Sequence, residues 1–104
     1  MLDRVFHALS DSTRRGILEM LSCGKCTTGT LVEAFPWISR VAVMKHLDVL
    51  ESAGLISVSR SGRERWNEID VDTLQEAETW IAQHFVAMPS GRIAMRQVRL
   101  QASV

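Results

Sequence analysis

The chain has 104 residues, with twelve basic and twelve acidic side chains, a formal net charge of zero and a hydrophobic fraction of 46%. This length suits one domain with a modest core, and the hydrophobic fraction excludes a disordered chain. The sequence has no apolar run of about 18 residues and no secretory signal, so we expect no membrane partner and a cytoplasmic protein. Two cysteines are too few for a secreted scaffold held together by disulfides.

Charge is distributed unevenly along the chain. Five basic and three acidic residues lie between Trp37 and Trp66, whereas the segment from Asp70 to Glu78 has four acidic residues and no basic one. The local excess of charge matters more for binding than the total does. We therefore expect a polyanion such as nucleic acid to bind the first of these segments.

Residues 2–9 and 12–22 have the apolar spacing of two helices. Asp11 suits the N-cap of the second helix, because its carboxylate can accept hydrogen bonds from the unpaired amides of the first turn. The side chains expected to face the core are Val5, Phe6 and Leu9 in the first helix and Ile17, Leu18 and Leu21 in the second.

A third, short helix follows the sequence Cys23-Gly24-Lys25-Cys26, which we interpret as a break between helices. Thr27 or Thr28 caps this helix, and it continues to about Phe35. Pro36 then ends it, since proline lacks the amide hydrogen and disfavours a helical residue before it. The side chains expected to point inward are Leu31, Val32 and Phe35.

The helix predicted over residues 39–53 is the one around which we expect the chain to be organised. Ser39 suits its N-cap, and Gly54 suits the left-handed residue after its end. With 3.6 residues per turn, one side of the helix is an apolar row of Val43, Leu47 and Leu50, and the other side carries Arg40, Val41, Met44, Lys45 and Asp48. So short a connection between two helices is typical of a helix-turn-helix, whose second helix enters the major groove of DNA.

The pattern changes to a two-residue period over residues 55–69. Ile56 and Val58 alternate with serines, Ser61-Gly62 marks a turn, and the return segment predicts a β-hairpin with a positively charged tip. Trp66 and Ile69 have opposite parity on the return strand. One of them must face away from the core, or a bulge must lie between them.

The helical period returns from Asp72 to about Met88, and Pro89-Ser90-Gly91 ends it. This helix has more apolar surface than a monomer of 104 residues can easily bury on an outer helix. We therefore interpret its apolar row as a homodimer interface. The expected interface residues are Val5, Leu74, Ala77, Trp80, Ile81, Phe85 and Met88. We accordingly divide the chain into a DNA-binding and dimerisation domain, residues 1–88, and a C-terminal tail or short extra helix, residues 89–104.

This order of elements is that of a winged helix-turn-helix, mainly α with a small β-hairpin wing and dimeric. Two separated motifs resemble the ArsR family of bacterial transcriptional repressors: residues 6–18, Phe-His-Ala-Leu-Ser-Asp-Ser-Thr-Arg-Arg-Gly-Ile-Leu, and residues 39–56, Ser-Arg-Val-Ala-Val-Met-Lys-His-Leu-Asp-Val-Leu-Glu-Ser-Ala-Gly-Leu-Ile. The resemblance covers roughly residues 2–86. Ser12 stands where the family usually has proline, and both residues are tolerated in the first turn of a helix.

The resemblance implies a protein without catalytic activity that binds a double-stranded operator with an inverted repeat, as a homodimer, and blocks transcription. It implies DNA contacts from the helix at Ser39, Arg40, Val41, Met44 and Lys45, and from the wing at Arg60, Arg63 and Arg65. A two-fold axis would set the two recognition helices about 34 Å apart. Arg40 is the best candidate for a bidentate contact to guanine, worth about 1 to 3 kcal/mol of discrimination.

Many members of the family sense metals, but this sequence lacks the residues of the familiar sites. A cysteine-pair site in the third helix would need thiols between Thr28 and Phe35, and there are none. A site on the last helix would need histidines where Leu74, Phe85 and Met88 stand. We therefore expect no metal and no cofactor.

Cys23 and Cys26 leave alternatives open. The pair could sense redox state or a metal, or could belong to a dithiol oxidoreductase, although that enzyme class needs a strand before the pair and a surrounding sheet. We favour two small residues in a turn. A winged helix that binds protein instead of DNA is a further alternative, which steep salt dependence of DNA binding would exclude.

The remaining polar and aromatic residues are interpreted by their usual roles. His46 is expected to pack or hydrogen-bond at the base of the recognition helix and not to contact DNA. Arg14 and Arg15 suit DNA phosphates and the helix surface equally well. The three tryptophans are expected to be core or interface anchors, namely Trp37, Trp66 and Trp80.

Overall fold

The computed structural model describes residues 2–87 and 93–95 of the chain, which form helices and two small antiparallel sheets. The predicted order of four helices, a hairpin and another helix is confirmed. In this part of the chain, no helix is long and apolar enough to cross a bilayer. The elements are α1 (Leu2–Leu9), α2 (Ser12–Leu21), β1 (Cys26–Thr27), α3 (Thr28–Ala34), α4 (Arg40–Ser52), β2 (Ile56–Ser61), β3 (Glu64–Ile69), α5 (Val71–His84), β4 (Phe85–Ala87) and β5 (Ile93–Met95).

The caps predicted for the helices are present. Asp11 accepts hydrogen bonds from the amides of Thr13 and Arg14 at 2.9 and 3.1 Å, and the Ser39 hydroxyl accepts one from the Ala42 amide at 3.1 Å. These bonds satisfy amides that have no partner within the helix.

The end of α4 is closed by a glycine. Gly54 adopts a φ of +78°, and this left-handed residue lets the amide of Leu55 donate to the Leu50 carbonyl at 3.0 Å. The pattern is a Schellman motif, in which a glycine avoids the strain that a Cβ would cause at positive φ. The chain therefore turns sharply from α4 into the first strand of the hairpin.

One hydrophobic core joins all five helices to the hairpin. Its buried members include the predicted rows of α2 and α4, together with Leu31 and Phe35. Phe35 packs so closely on α2 that a Cβ at Gly16 would lie 3.2 Å from the Phe35 ring. The full set of buried hydrophobic residues is Val5, Ala8, Ile17, Leu18, Leu21, Leu31, Phe35, Val43, Leu47, Leu50, Leu55, Ile56 and Ala77.

The sheet that contains the hairpin has three strands in the order β1-β3-β2, all antiparallel. The predicted hairpin is confirmed, and its two-residue loop is Gly62-Arg63, with a φ of +62° at the glycine. The third strand, β1, was not predicted: Cys26 pairs with Asn67 and Thr27 with Trp66. Residues 23–26 therefore lead from α2 to a strand of this sheet, which begins at Cys26.

The register explains the parity conflict between Trp66 and Ile69. Pairing is continuous from Ile56 with Ile69 to Ser61 with Glu64, so no bulge intervenes. Ile69 packs against the core. Trp66 points to the opposite face, where the Lys25 ammonium lies 5.3 Å from its ring.

The end of α5 differs from the prediction. The helix was expected to reach about Met88 but ends at His84, and Phe85 adopts extended φ and ψ angles of −135° and 148°. Strand β4 follows and pairs with β5. The prediction overran because the apolar spacing continues past a point at which the backbone changes conformation. Met88 lies outside the described residues, and the described part of the segment 89–104 is a strand where an extra helix had been considered.

Candidate nucleic-acid interface

The side chains of α4 divide largely as the periodicity predicts. Val43, Leu47 and Leu50 are fully buried. The opposite side exposes four residues, Arg40, Val41, Lys45 and Asp48. Met44 is the exception on this side, because it is half-buried and packs against the core cluster, so it offers less surface than expected.

The arginines of the wing occupy two different environments. Arg60 and Arg63 are exposed. Arg65 is half-buried, with its Nη2 3.5 Å from Glu51 Oε1, and its Nε has no hydrogen-bond partner among the described residues. Arg65 therefore braces the hairpin against the end of α4, and its charge is partly compensated.

The wing and the start of α4 enclose a cleft of about 370 Å³, which we call the arginine cleft. Four guanidinium groups and a single carboxylate line it, so its walls carry a strong positive excess. Low-dielectric walls that carry one sign of charge concentrate ligands of the opposite sign. The residues that line the arginine cleft are Thr27, Thr28, Gly29, Arg40, Arg60, Arg63, Glu64 and Arg65.

The expected dimer interface is only partly exposed. Val5 and Ala77 are buried within the monomer, so they belong to the core, and Leu74 also packs against it. Trp80 and Ile81 are 40% and 47% exposed. Met88 lies outside the described residues.

Aromatic packing organises this exposed surface. The Phe6 ring of α1 meets Trp80 edge-on with ring centroids 5.8 Å apart, and Trp80 stacks on His84 at 4.6 Å. Half-buried Phe85 lies 6.2 Å from Trp80, centroid to centroid. We call Phe6, Trp80, Ile81 and Phe85 the aromatic face.

Both cysteines are free thiols. Cys23 is exposed after α2, and half-buried Cys26 begins β1, with its Sγ 3.6 Å from the Gly24 carbonyl oxygen. A helix precedes the pair, whereas the dithiol oxidoreductase alternative needs a strand there. Within residues 2–87 and 93–95, no group of three or more His, Cys, Asp or Glu side chains is placed to hold a metal ion.

Three side chains take positions that the sequence did not reveal. Trp37, expected to be an anchor, is 70% exposed in the turn before α4 and meets Phe35 edge-on. Asn67 is fully buried and donates to the Cys26 carbonyl and the Thr28 hydroxyl at 3.3 and 3.1 Å. Arg14 is only 9% exposed, and its guanidinium nitrogens contact Ala8, His7 and His46.

The His46 ring lies beside Arg14 and Asp11, at the base of α4. Its Nδ1 is 3.2 Å from Arg14 Nη1 and 3.8 Å from Asp11 Oδ2. The amide of Arg14, which donates to the Asp11 carboxylate, is the main cause that lowers the pKa of Asp11. The charge of His46, when its ring is protonated, and the charge of Arg14 lower it further. The carboxylate is therefore held in its charged form.

Comparison with known proteins agrees with this architecture. Residues 9–59 match the family described as a helix-turn-helix domain. The chain is 36% identical over 80 residues to the transcriptional repressor SdpR of Bacillus subtilis strain 168, a match that covers 77% of this chain and 88% of SdpR.

Two solved structures share the fold. The ArsR family transcriptional regulator RHA00566 gives a TM-score of 0.74 at 36% identity and covers 78% of this chain and 88% of its own. The homodimeric winged helix-turn-helix DNA-binding domain of Mb0332 from Mycobacterium bovis gives a TM-score of 0.66 at 24% identity, over 78% of this chain and 76% of the other. Identity above one third across most of both chains, together with the shared fold, shows that this protein belongs to the ArsR family of winged helix-turn-helix transcriptional regulators.

Proposed function

We propose that the protein is a transcriptional repressor that binds an operator with an inverted repeat, as a homodimer, through residues 39–53 and the wing 55–69. The observation that carries the proposal is the arginine cleft, which joins Arg40 of α4 to the arginines of the wing. A helix in the major groove has phosphates on either side, and a positively charged wing beside the start of that helix is placed to bind them.

The exposed residues of α4 suit base recognition. Residues near the start of a recognition helix contact base edges, and Arg40 is the first residue of α4. Its guanidinium can donate two hydrogen bonds to guanine, and the exposed apolar side chain of Val41 can contact a thymine methyl group. Lys45 follows one turn later on the same exposed side.

The aromatic face is the proposed surface between protomers. Trp80 and Ile81 leave apolar area in water that a second copy of the chain would cover. The homodimeric state of the Mb0332 domain, which has the same fold, supports a dimer here. Two-fold symmetry would repeat α4 at about the 34 Å pitch of DNA, in a protein that acts on the bacterial chromosome in the cytoplasm.

Fluorescence anisotropy with labelled duplexes tests the proposal. The duplexes are the DNA upstream of the protein's own gene and a random duplex of equal length, and we expect tighter binding to the first. Arg40→Ala should lower the ratio between the two affinities, at a cost of about 1 to 3 kcal/mol per site. The matched control is Arg4→Ala, which removes the same charge from α1 outside the arginine cleft.

Two results would count against the proposal. If the wild-type protein bound both duplexes with equal affinity, the upstream DNA would contain no specific operator, and the proposed repressor function would fail. If Arg40→Ala weakened binding to both duplexes equally, Arg40 would contact phosphate and would not read a base.

A further inference from the structure

Arg14 links two helices that are expected to perform different tasks. Its Nε donates to the Ala8 carbonyl at 2.8 Å, and its Nη2 donates to the His7 carbonyl at 3.1 Å, so the guanidinium closes the last turn of α1. A cation at the C-terminal carbonyls of a helix is also favoured by the helix dipole. The remaining Nη1 points to His46 on α4.

The contact between Arg14 and His46 defines the protonation state of the imidazole ring. A guanidinium has donors and no acceptor, so a hydrogen bond at 3.2 Å requires His46 Nδ1 to accept. The proton of the neutral ring is therefore on Nε2. Protonation at Nδ1 would place an N–H against the Nη1 donor and would break this hydrogen bond.

Asp11 offers the protonated ring a different partner. Its Oδ2 lies 3.8 Å from His46 Nδ1, and a charged hydrogen bond of about 2.8 Å would need the two groups to approach by about 1 Å. The lowered pKa of Asp11 keeps this carboxylate charged from neutral to mildly acidic pH. The imidazole can therefore exchange one partner for the other within a small movement.

The other charged groups near α4 lie on the elements packed against it. Arg4 and His7 of α1 face α4 across a cleft that also contains Asp48. Arg60 of β2 lines the arginine cleft beside Arg40, and Arg65 contacts Glu51. The remaining charged groups on α2 and α3 are Arg15, whose guanidinium donates to the Leu9 carbonyl, Glu19 and Glu33. Among the described residues, Arg14 and Asp11 are the ones that approach the His46 ring from another element.

We propose that the Arg14–His46 hydrogen bond positions α4 on the scaffold, and that protonation of His46 moves α4 and weakens specific DNA binding. His46 belongs to α4, and Arg14 is bound to the last turn of α1, so loss of the Arg14–His46 hydrogen bond removes a tie between the two helices. The inference depends on the proposed function, because its consequence is measured as DNA affinity. The expected sign is distinctive, since added positive charge alone would strengthen DNA binding.

The test compares operator affinity at about pH 7.5 and about pH 5.5, a range in which histidine changes charge. For the wild-type protein we expect affinity to fall by up to about tenfold at the lower pH, because DNA binding must then restore the position of α4 at the expense of one hydrogen bond to a charged group. His46→Asn should bind normally at the higher pH and lose the pH dependence, because its Oδ1 takes the place of Nδ1, accepts from Arg14 and does not titrate. The matched control, His7→Gln, removes an exposed histidine of α1 and should keep the wild-type behaviour.

A measurement without DNA separates this inference from the proposed function. Nitrogen-15 NMR should show His46 protonated at Nε2 and not at Nδ1 near neutral pH. The amide signals of residues 40–45 should shift with acid in the wild-type protein but not in His46→Asn. If the wild-type protein binds no duplex specifically, the proposed function fails. The spectra still show whether the Arg14–His46 hydrogen bond forms and whether acid breaks it. Acid dependence that persists in His46→Asn, or a ring protonated at Nδ1, would overturn the inference.

Discussion

Replacing Arg63 by glutamine removes one exposed cation from the tip of each wing. Arg63 is the second residue of the two-residue hairpin loop and is exposed, so the substitution should change the free energy of unfolding by less than about 0.5 kcal/mol. Each phosphate that a side chain neutralises contributes about 0.9 to the slope of log affinity against log salt concentration. A dimer has two wings, so the slope should become shallower by about 1.8.

Anisotropy titrations of one duplex between about 50 and 200 mM salt measure this slope. Over that fourfold range, the affinity of Arg63→Gln should fall about twelvefold less than that of the wild-type protein. Arg4→Gln on α1 is the control for a change in net charge alone, and its slope should match the wild-type slope. An unchanged slope for Arg63→Gln would refute a phosphate contact. A change of about 0.9 would mean that one wing per dimer touches DNA.

Three further substitutions test the core, the cap and the interface. Leu50→Ala should lower the free energy of unfolding, measured by urea denaturation, by about 2 to 5 kcal/mol. The control is exposed Val71→Ala, which should change it by less than about 0.5 kcal/mol. Equal effects of the two substitutions would contradict the assigned core. Because the folded state lowers the pKa of Asp11, its carboxylate stabilises the fold fully above its ordinary pKa, and this contribution is lost as pH falls through the lowered value. In Asp11→Asn, the free energy of unfolding should therefore fall less steeply with decreasing pH than in the wild-type protein. An unchanged pH dependence would disprove this role. Trp80→Ala should raise the dissociation constant of the dimer in sedimentation experiments, with Val71→Ala as control, and an unchanged constant would place the interface elsewhere.

Features that depend on neighbouring residues could be predicted from the sequence. The caps at Asp11 and Ser39 and the left-handed Gly54 are local, because their hydrogen bonds join residues at most five positions apart. The buried rows of α2 and α4 follow from the helical period, and Leu47 and Leu50 have no exposed surface. The hairpin was predictable because its turn glycine and alternating strands are adjacent in sequence.

Periodicity failed where the structure of a segment depends on what packs or pairs with it and not on its own apolar spacing. It predicted that α5 continues through Phe85, although Phe85 begins strand β4, which pairs with β5. It also placed Ala77 on the outer surface, because an apolar row shows which residues share a face but not what covers that face. Strand β1 was missed for the same reason, since two residues acquire strand geometry here only by pairing with β3.

The polar residues that shape the candidate site were the least predictable, because their partners are distant in sequence. Asn67 takes a core-facing position on β3, and its amide group joins Cys26 and Thr28, about forty residues earlier in the chain. The two bonds from Asn67 Nδ2 hold β3 against the start of α3, while Asn67 Oδ1 is buried without a hydrogen-bond partner among the described residues. Thr28 and Arg65 both line the arginine cleft, and β3 carries Arg65 two residues from Asn67. The spacing between the wing arginines and the start of α3 therefore depends on a residue that carries no charge and has no contact with solvent.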